Sequence, residues 1–409
     1  MLNGKNVILG VTGSIAAYKA ANVASMLVKL HANVHVIMTK NAANFIHPCT
    51  FETLTGNRCI IDTFDPDTGL HVPHIALAEM ADLCLIAPAS ANMIAKLAHG
   101  LADDMLSTTV LAMKCPVLIS PAMNTNMFMN PLVQENLKKL ADQGKMVIQP
   151  AEGRLACGAT GTGKMPSEDV LVDHVLMEIA CEKDLKGLKL LVTAGPTIEP
   201  IDPVRFISNH STGKMGYAIA RRAMLRGALV TLISGPCHID TPPFVKLIRV
   251  NTAAEMAAAV KDHYSSQDIL IKSAAVADYT PAETASEKIK KSNQDLSLHL
   301  KRTEDILSWL GSHKKAGQIL CGFSMETENV VENSRKKLEK KGADLIAANS
   351  LREAGSGFAA DTNHLILIEK DHLQDFPMMD KADAADALLT RLKECYLSEK
   401  KEVHDDLCD

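Results

Sequence analysis

In the first half of the chain, the residues able to do chemistry sit in short turns that follow apolar runs. Residues 7–11 lead through Gly10-Val-Thr-Gly13-Ser14 into a helical pattern. This would put free backbone N–H groups and the Ser14 hydroxyl at a helix N-terminus, a place suited to a phosphate. A bare strand-glycine-helix turn is more often structural, and the GxGxxG spacing of dinucleotide folds is missing. Pro88-Ala-Ser90-Ala-Asn92 follows a second apolar run and brings another hydroxyl and an amide to the same sheet edge, which strengthens the phosphate reading. His74 follows Pro73 at the start of an apolar helical pattern, where a lone histidine is more often a cap or packing residue than a catalyst. Asn124, in Pro121-Ala-Met-Asn124-Thr-Asn-Met127-Phe128, lies just past the run 117–120; a buried turn asparagine is the plain alternative. Cys157 alone among the cysteines lies in a glycine-rich stretch, 152–164, the setting of a loop thiol rather than a core one. The same stretch holds a decoy. Residues 158–164 fit GxxxxGK, but Met165 follows where a P-loop has Ser or Thr, and 152–156 is no buried strand.

The second half carries its richest stretch between Thr193 and Gly216. A strand enters a proline-rich loop, Gly195-Pro196-Thr197, which delivers Ser211, Thr212 and Gly213 to the start of a helix. Hydroxyls and N–H groups there cradle an anion. Any capped helix would use Ser211 or Thr212, but a cap alone does not call for Arg205, Asn209 and Lys214 nearby. Ala274-Ala275-Val276-Ala277-Asp278 ends another apolar run with a carboxylate, and Lys288-Ile-Lys290-Lys291 follows in a long polar segment, 279–299. A KxKK run is usually a solvated face. The segment is too long for a routine αβ loop, so it is a candidate active-site flap.

The elements that must position these residues alternate short apolar runs with helical patterns, the rhythm of parallel sheets. It predicts strands at 7–11, 33–38, 83–87 and 117–120, then, past the polar stretch 182–187, at 189–194, 228–234, 269–273, 318–323 and 344–348. The fold class expected is α/β, with two Rossmann-like domains at 1–187 and 188–409. With 409 residues, 47% hydrophobic and 22% charged, each domain is long enough to bury its own core. A net charge of −5 gives no general drive toward nucleic acid or anionic membranes, and small-molecule partners are expected. The ten cysteines contain no CxxC pair and read as reduced intracellular thiols. No signal peptide or membrane-length apolar run is seen, so a cytoplasmic protein is expected. The last nine residues lack apolar periodicity and are expected to fray.

GSIAAYK, the PASAN turn, PxMNxxM and the ACG-containing glycine loop together resemble the flavin-dependent cysteine decarboxylases, in particular the phosphopantothenoylcysteine decarboxylases of coenzyme A biosynthesis. The resemblance covers the whole first domain. It implies bound FMN, with its phosphate near Gly13 and Ser14 and its ring near Ser90 and Asn92. It implies His74 as a catalytic histidine, Asn124 as a ligand of the substrate carboxylate and Cys157 as the proton donor. Two departures stand out: Phe128 replaces a usual tryptophan, keeping an aromatic wall, and Ala159 replaces a common acidic residue.

The GPT-type loop, AAVADY and KIKK, in this order, resemble phosphopantothenate-cysteine ligases of the bacterial, CTP-using type over nearly all of 188–370. The resemblance implies an acyl-cytidylate formed from CTP with Mg2+, with Lys288 stabilising the first step and Asn209 the second. Arg205 and Ala275 would border the intermediate, and Asp278, Phe323, Lys337 and Lys341 would contact CTP. No metal ligands are assigned. Lys337 and Lys341, four apart, share one helix face as two phosphate-directed charges require. The family also implies a homo-oligomer, with a dodecamer as the expected closed form. Two other readings are a flavin-binding interaction module, which the ligase half opposes, and a nicotinamide oxidoreductase, which the missing GxGxxG opposes.

Overall fold

The computed structural model describes all residues except 66–68, 70, 155–157, 159, 291–295, 327, 351–359 and 406–409, and leaves aside the side chains of 350 and 402–405. The chain forms two compact units, Met1–Glu182 and Lys183–Asp409. Of the polar stretch 182–187, all but Glu182 is built into the second of them. Leu185 is fully buried, and the Asp184 carboxylate accepts hydrogen bonds from Arg226 at 2.9 and 2.7 Å and from Lys393 at 3.1 Å. The Arg226 contact, working against burial, holds the Asp184 carboxyl down at about 2.

The first unit is a five-stranded parallel sheet in the order Asn33–Met38, Asn6–Val11, Leu83–Ala89, Val117–Pro121, Met146–Val147. Its inner strands are covered on both faces, which is why they read as unbroken apolar runs: every position of Leu83–Ala89 is buried. The chain steps to opposite sides of Asn6–Val11, so the order switches between that strand and Leu83–Ala89. Parallel sheets bind ligands in the crevice at such a switch, beyond the strands' carboxyl ends. The helix Ala17–Lys29 covers the sheet with Ala17, Ala20, Val23, Ala24 and Leu27, spaced three and four apart.

Residues 151–164 depart from the sequence expectation. Ala151–Arg154 and Thr160–Lys164 pair as an antiparallel hairpin, which lacks apolar alternation because glycine and polar residues dominate it. It is half exposed, not a buried strand, and the chain after Lys164 does not enter a helix until Glu168–Ile179. The GxxxxGK match is therefore no P-loop.

The second unit holds an eight-stranded sheet ordered Lys246–Arg249, Leu229–Ser234, Lys189–Ala194, Ile269–Lys272, Ile319–Glu326, Leu345–Ser350, Ile366–Ile368, Leu373–Asp375. The first six run parallel and the last two are antiparallel. The long polar segment is anchored at its base by an antiparallel pair, Tyr279–Pro281 with Leu300–Arg302. A second small pair, Ile198–Pro200 with Phe206–Ser208, carries the proline-rich loop. The end of the chain is not frayed throughout, since the helix Lys381–Asp405 continues through 401–405. Ala384, Ala385, Leu388, Leu389 and Leu392 bury one of its faces.

Two candidate active sites

Thr12, which sequence reasoning passed over, binds two turns of the first unit together. Its Oγ1 donates to the Pro88 carbonyl at 2.7 Å and accepts from the Ser90 N–H at 2.8 Å. The Gly10–Ser14 and Pro88–Asn92 turns thus meet at the switch in strand order. Ser90 caps the helix Ala91–His99, accepting from Met93 N–H at 3.4 Å, while Asn92 is exposed. Gly13 is required by packing as well as by any ligand, because a Cβ there would lie 2.7 Å from the Asn41 Cβ. Ser14 accepts from the Ala16 N–H at 3.3 Å, and no side chain caps the helix Ala17–Lys29.

A cleft of about 640 Å³ opens beside this uncapped helix start, lined by Ser14, Lys19, Asn124, Arg154 and Lys164 among others. Asn124 is the N-cap of the turn Thr125–Phe128, its Oδ1 accepting from the Asn126 N–H at 2.9 Å. The hairpin rests on this turn by backbone contact. Met123 N–H donates to the Gly163 carbonyl at 3.0 Å, and a Cβ on Gly163, whose φ is +135°, would stand 2.4 Å from the Met123 carbonyl oxygen. Gly163, and Gly161, whose Cβ would lie 2.7 Å from the Thr125 Oγ1, are thus demanded by clearance. Lys19, Arg154 and Lys164 went unassigned in the sequence, where nothing marks which of many cations share a cleft.

Three expectations fare differently. Phe128 is buried in the core rather than walling the cleft, packing in the cluster that contains Met93, Leu106 and Leu137. His74, in the helix Pro73–Met80, is not among the residues lining the cleft, and its buried Nδ1 has no hydrogen-bond partner among the described residues. Cys157 and Ala159 lie outside the described residues.

In the second unit two cavities of about 430 and 370 Å³ lie over the carboxyl edge of the parallel strands. They share Lys272, Val276, Asp278, Phe323 and Lys337, and so form one groove with a neck. One half contains Lys341 and Asp305; the other contains Asn209, Ser211, Thr212, Lys214 and Ala275. Asn209 Nδ2 donates to the Ala275 carbonyl at 2.9 Å, joining two residues that the sequence had linked only through family pattern. Lys337 Nζ donates to the Phe323 carbonyl at 2.8 Å, and Lys341 pairs with Asp305. Burial lowers the Lys337 ammonium below its ordinary range.

Lys272 is the residue that sequence reasoning missed here. It ends the strand Ile269–Lys272 and lines both halves of the groove, with Nζ donating to the Ala274 carbonyl at 3.1 Å. Burial, reinforced by the Lys337 charge, lowers its ammonium to about 8. Its signal was faint: a lysine closing an apolar run ordinarily marks the strand's exit to solvent.

Arg205 and Lys288 do not line the groove. Arg205, which the resemblance implies borders the intermediate, pairs through its guanidinium with Asp202 at 2.7 Å and donates to the Ile289 carbonyl at 2.5 Å. Asp202 completes the clamp by accepting from Ile289 N–H at 3.1 Å and from Val204 and Arg205 N–H, both at 2.8 Å. Burial opposes ionisation of Asp202, yet these hydrogen bonds hold its carboxyl at about 2. Asp202 and Arg205 thus hold in place the loop that displays the exposed Lys288. Among the described residues no three His, Cys, Asp or Glu side chains are grouped to hold a metal ion, and no helix is long and apolar enough to cross a membrane.

Two α/β units, each with polar turns and cations gathered at the carboxyl edge of a parallel sheet, define a two-domain enzyme of anionic small molecules. The family described as Flavoprotein matches residues 1–180, and that described as DNA/pantothenate metabolism flavoprotein C-terminal domain matches 185–396. The coenzyme A biosynthesis bifunctional protein CoaBC of Bacillus subtilis is 46% identical over 396 residues, 96% of this chain and 97% of that protein. Its counterpart in Haemophilus influenzae is 42% identical over 395 residues, 97% of this chain and 98% of that protein. Among solved structures, the C-terminal domain of a CoaBC protein is 40% identical with a TM-score of 0.46, covering 53% of this chain and 100% of that one. The chain belongs to the bifunctional proteins of coenzyme A biosynthesis, which unite a decarboxylase with a ligase.

Proposed function

We propose that the second unit joins 4′-phosphopantothenate to cysteine with CTP, and that the first decarboxylates the product, 4′-phosphopantothenoylcysteine, to 4′-phosphopantetheine. The observation that carries this reading is the necked groove, whose cationic half and Asn209 half suit a nucleotide and an acyl group joined through one phosphate. A substrate carboxylate oxygen attacks the α-phosphorus of CTP, forming an acyl-cytidylate and releasing pyrophosphate. The cysteine amine then forms the amide bond at the acyl carbon, CMP leaves, and the amine's surplus proton passes to water. Lys288, Lys337 and Lys341 neutralise charge in the first step, and Mg2+ shares that work on the triphosphate. Asp278 and Phe323 contact CTP, while Asn209 and Ala275 hold the intermediate for the amine.

The first unit fits FMN: the uncapped helix start beside Ser14, with Lys19 and Arg154 in the cleft, suits a phosphate; Gly13, Ser90 and Asn92 do not line the cleft, and their support is the meeting of their two turns through Thr12. When bound, FMN would supply a reversible two-electron acceptor, taking two electrons from the substrate so that CO2 can leave and returning them to the decarboxylated product. Asn124 holds the departing carboxylate, oriented through Asn126 N–H. Cys157 gives the proton that completes the product, and His74 assists proton movement. Because His74 stands away from the cleft with an unpartnered Nδ1, a homo-oligomer in which another copy completes the flavin site accounts for it, a dodecamer by family pattern.

Mass spectrometry of one incubation tests the whole: protein, 4′-phosphopantothenate, cysteine and Mg2+, with CTP or ATP in parallel. The expected result is 4′-phosphopantetheine and CMP from CTP. A reaction halting at phosphopantothenoylcysteine would overturn the assignment of the first unit, and no pyrophosphate release would overturn that of the second.

A further inference from the structure

Lys272 stands apart from the cations already assigned. It lines both halves of the groove, and so stands with Lys337 at the neck, its Nζ on the Ala274 carbonyl. Lys341 already has the Asp305 carboxylate. Lys272 and Lys337 instead donate to the carbonyls of Ala274 and Phe323, and among the described residues neither has a carboxylate within ion-pair distance. Two poorly hydrated ammonium groups facing one space repel each other, and the carboxylates of Asp278, Asp305 and, for Lys337, Glu326 offset this only from beyond ion-pair distance, so an anion placed between the two lysines relieves the repulsion.

We propose that Lys272 binds the phosphate that links nucleotide to acyl group, at the neck of the groove. The inference rests on the ligase reading of this site. A nucleotide in the half with Asp305 and Lys341 and an acyl chain in the half with Asn209 have one junction, the α-phosphate, and the neck is the only place among the described residues common to both cavities. The carbonyl of Ala274 uses one N–H of the ammonium and leaves the others for phosphate oxygens.

A pH signature follows. The groups facing Lys272 are Lys337 and Lys341 on the helix Val330–Lys341, Asp305 at the start of Ile306–His313, and Asp278 beyond its own strand. Burial and the two lysines lower its ammonium to about 8 against the opposing pull of the two carboxylates. A bound phosphate favours the protonated form, so nucleotide affinity is complete below about 8 and declines as pH rises through it.

The test is CTP binding by calorimetry and steady-state ligation on the full chain between pH 7 and 9.5, for wild type, Lys272→Met and Lys272→Arg. Lys272→Met should weaken CTP about tenfold or more, the scale of a lost charge-assisted hydrogen bond, and abolish the decline above pH 8. Lys272→Arg, charged throughout this range, should retain CTP binding while also losing the decline. The KM for cysteine should stay within about twofold in both. Should Lys272→Met not fold, Lys272→Arg still decides: a decline above pH 8 identical to wild type would overturn the role. CTP affinity unchanged in a folded Lys272→Met would do the same. Absence of pyrophosphate release from wild type with CTP or ATP would instead overturn the ligase reading, and this proposal with it.

Discussion

Asn209 has its amide fixed on the Ala275 carbonyl, so its side chain is held at the groove by the same loop that carries the strand-end alanines. Replacing it with aspartate removes the N–H donor and sets a carboxylate against a carbonyl oxygen. Asn209→Asp should therefore still release pyrophosphate yet accumulate acyl-cytidylate, detectable by mass spectrometry; normal amide formation would remove Asn209 from the second step. Side chains like this were legible in the sequence because loop polar residues of unusual type crowd one stretch, Thr193 to Gly216. Lys272 and Thr12 were not. Each sits at the end of an apolar strand, where lysine and threonine are commonplace, and only the pairing of strands far apart in sequence shows what they touch.

At the scale of elements, the hairpin of the first unit is held by clearance. Gly163→Ala would force a methyl against the Met123 carbonyl oxygen from a backbone angle unfavourable to any side chain. The hairpin must then lift from the turn bearing Asn124. Decarboxylation of supplied phosphopantothenoylcysteine should fall by about tenfold or more, the cost of misplacing a substrate-holding group, with ligation unchanged; equal rates for Gly163→Ala and wild type would show that the hairpin has no part in catalysis. The clamp around Ile289 makes a second case. Asp202→Asn keeps the shape but weakens the hold of Arg205, so pyrophosphate release should drop while CTP binding by calorimetry changes less. The sign of the pH effect follows from the carboxyl being held at about 2 rather than near 4. The clamp's contribution is fully present above about 4 and is lost as pH falls through 2. Parallel strands were readable because burial on both faces leaves continuous apolar runs. The 151–164 hairpin was not, since glycine needed for close approach erases any period-two pattern.

At the scale of the molecule, the two candidate sites occupy separate compact units, each with its own sheet and core. Damage to one should leave the other working. Mixing Cys157→Ser with Asn209→Asp should restore 4′-phosphopantetheine formation, because the first variant supplies the amide and the second decarboxylates it. No product from the mixture, with each variant active in its surviving step, would mean that the intermediate does not pass between molecules. The clamp has one more consequence, a mechanical one. Ala285 N–H donates to Ile201, Thr284 to Pro200, and Ile289 is gripped by Asp202 and Arg205, so the loop bearing Lys288 is fastened at residues 284, 285 and 289 to the small hairpin that leads into Asn209. With Asn209 already lining the groove, the loop bearing Lys288 hangs from the same strand pair, so loosening the clamp should unsettle both proposed steps together.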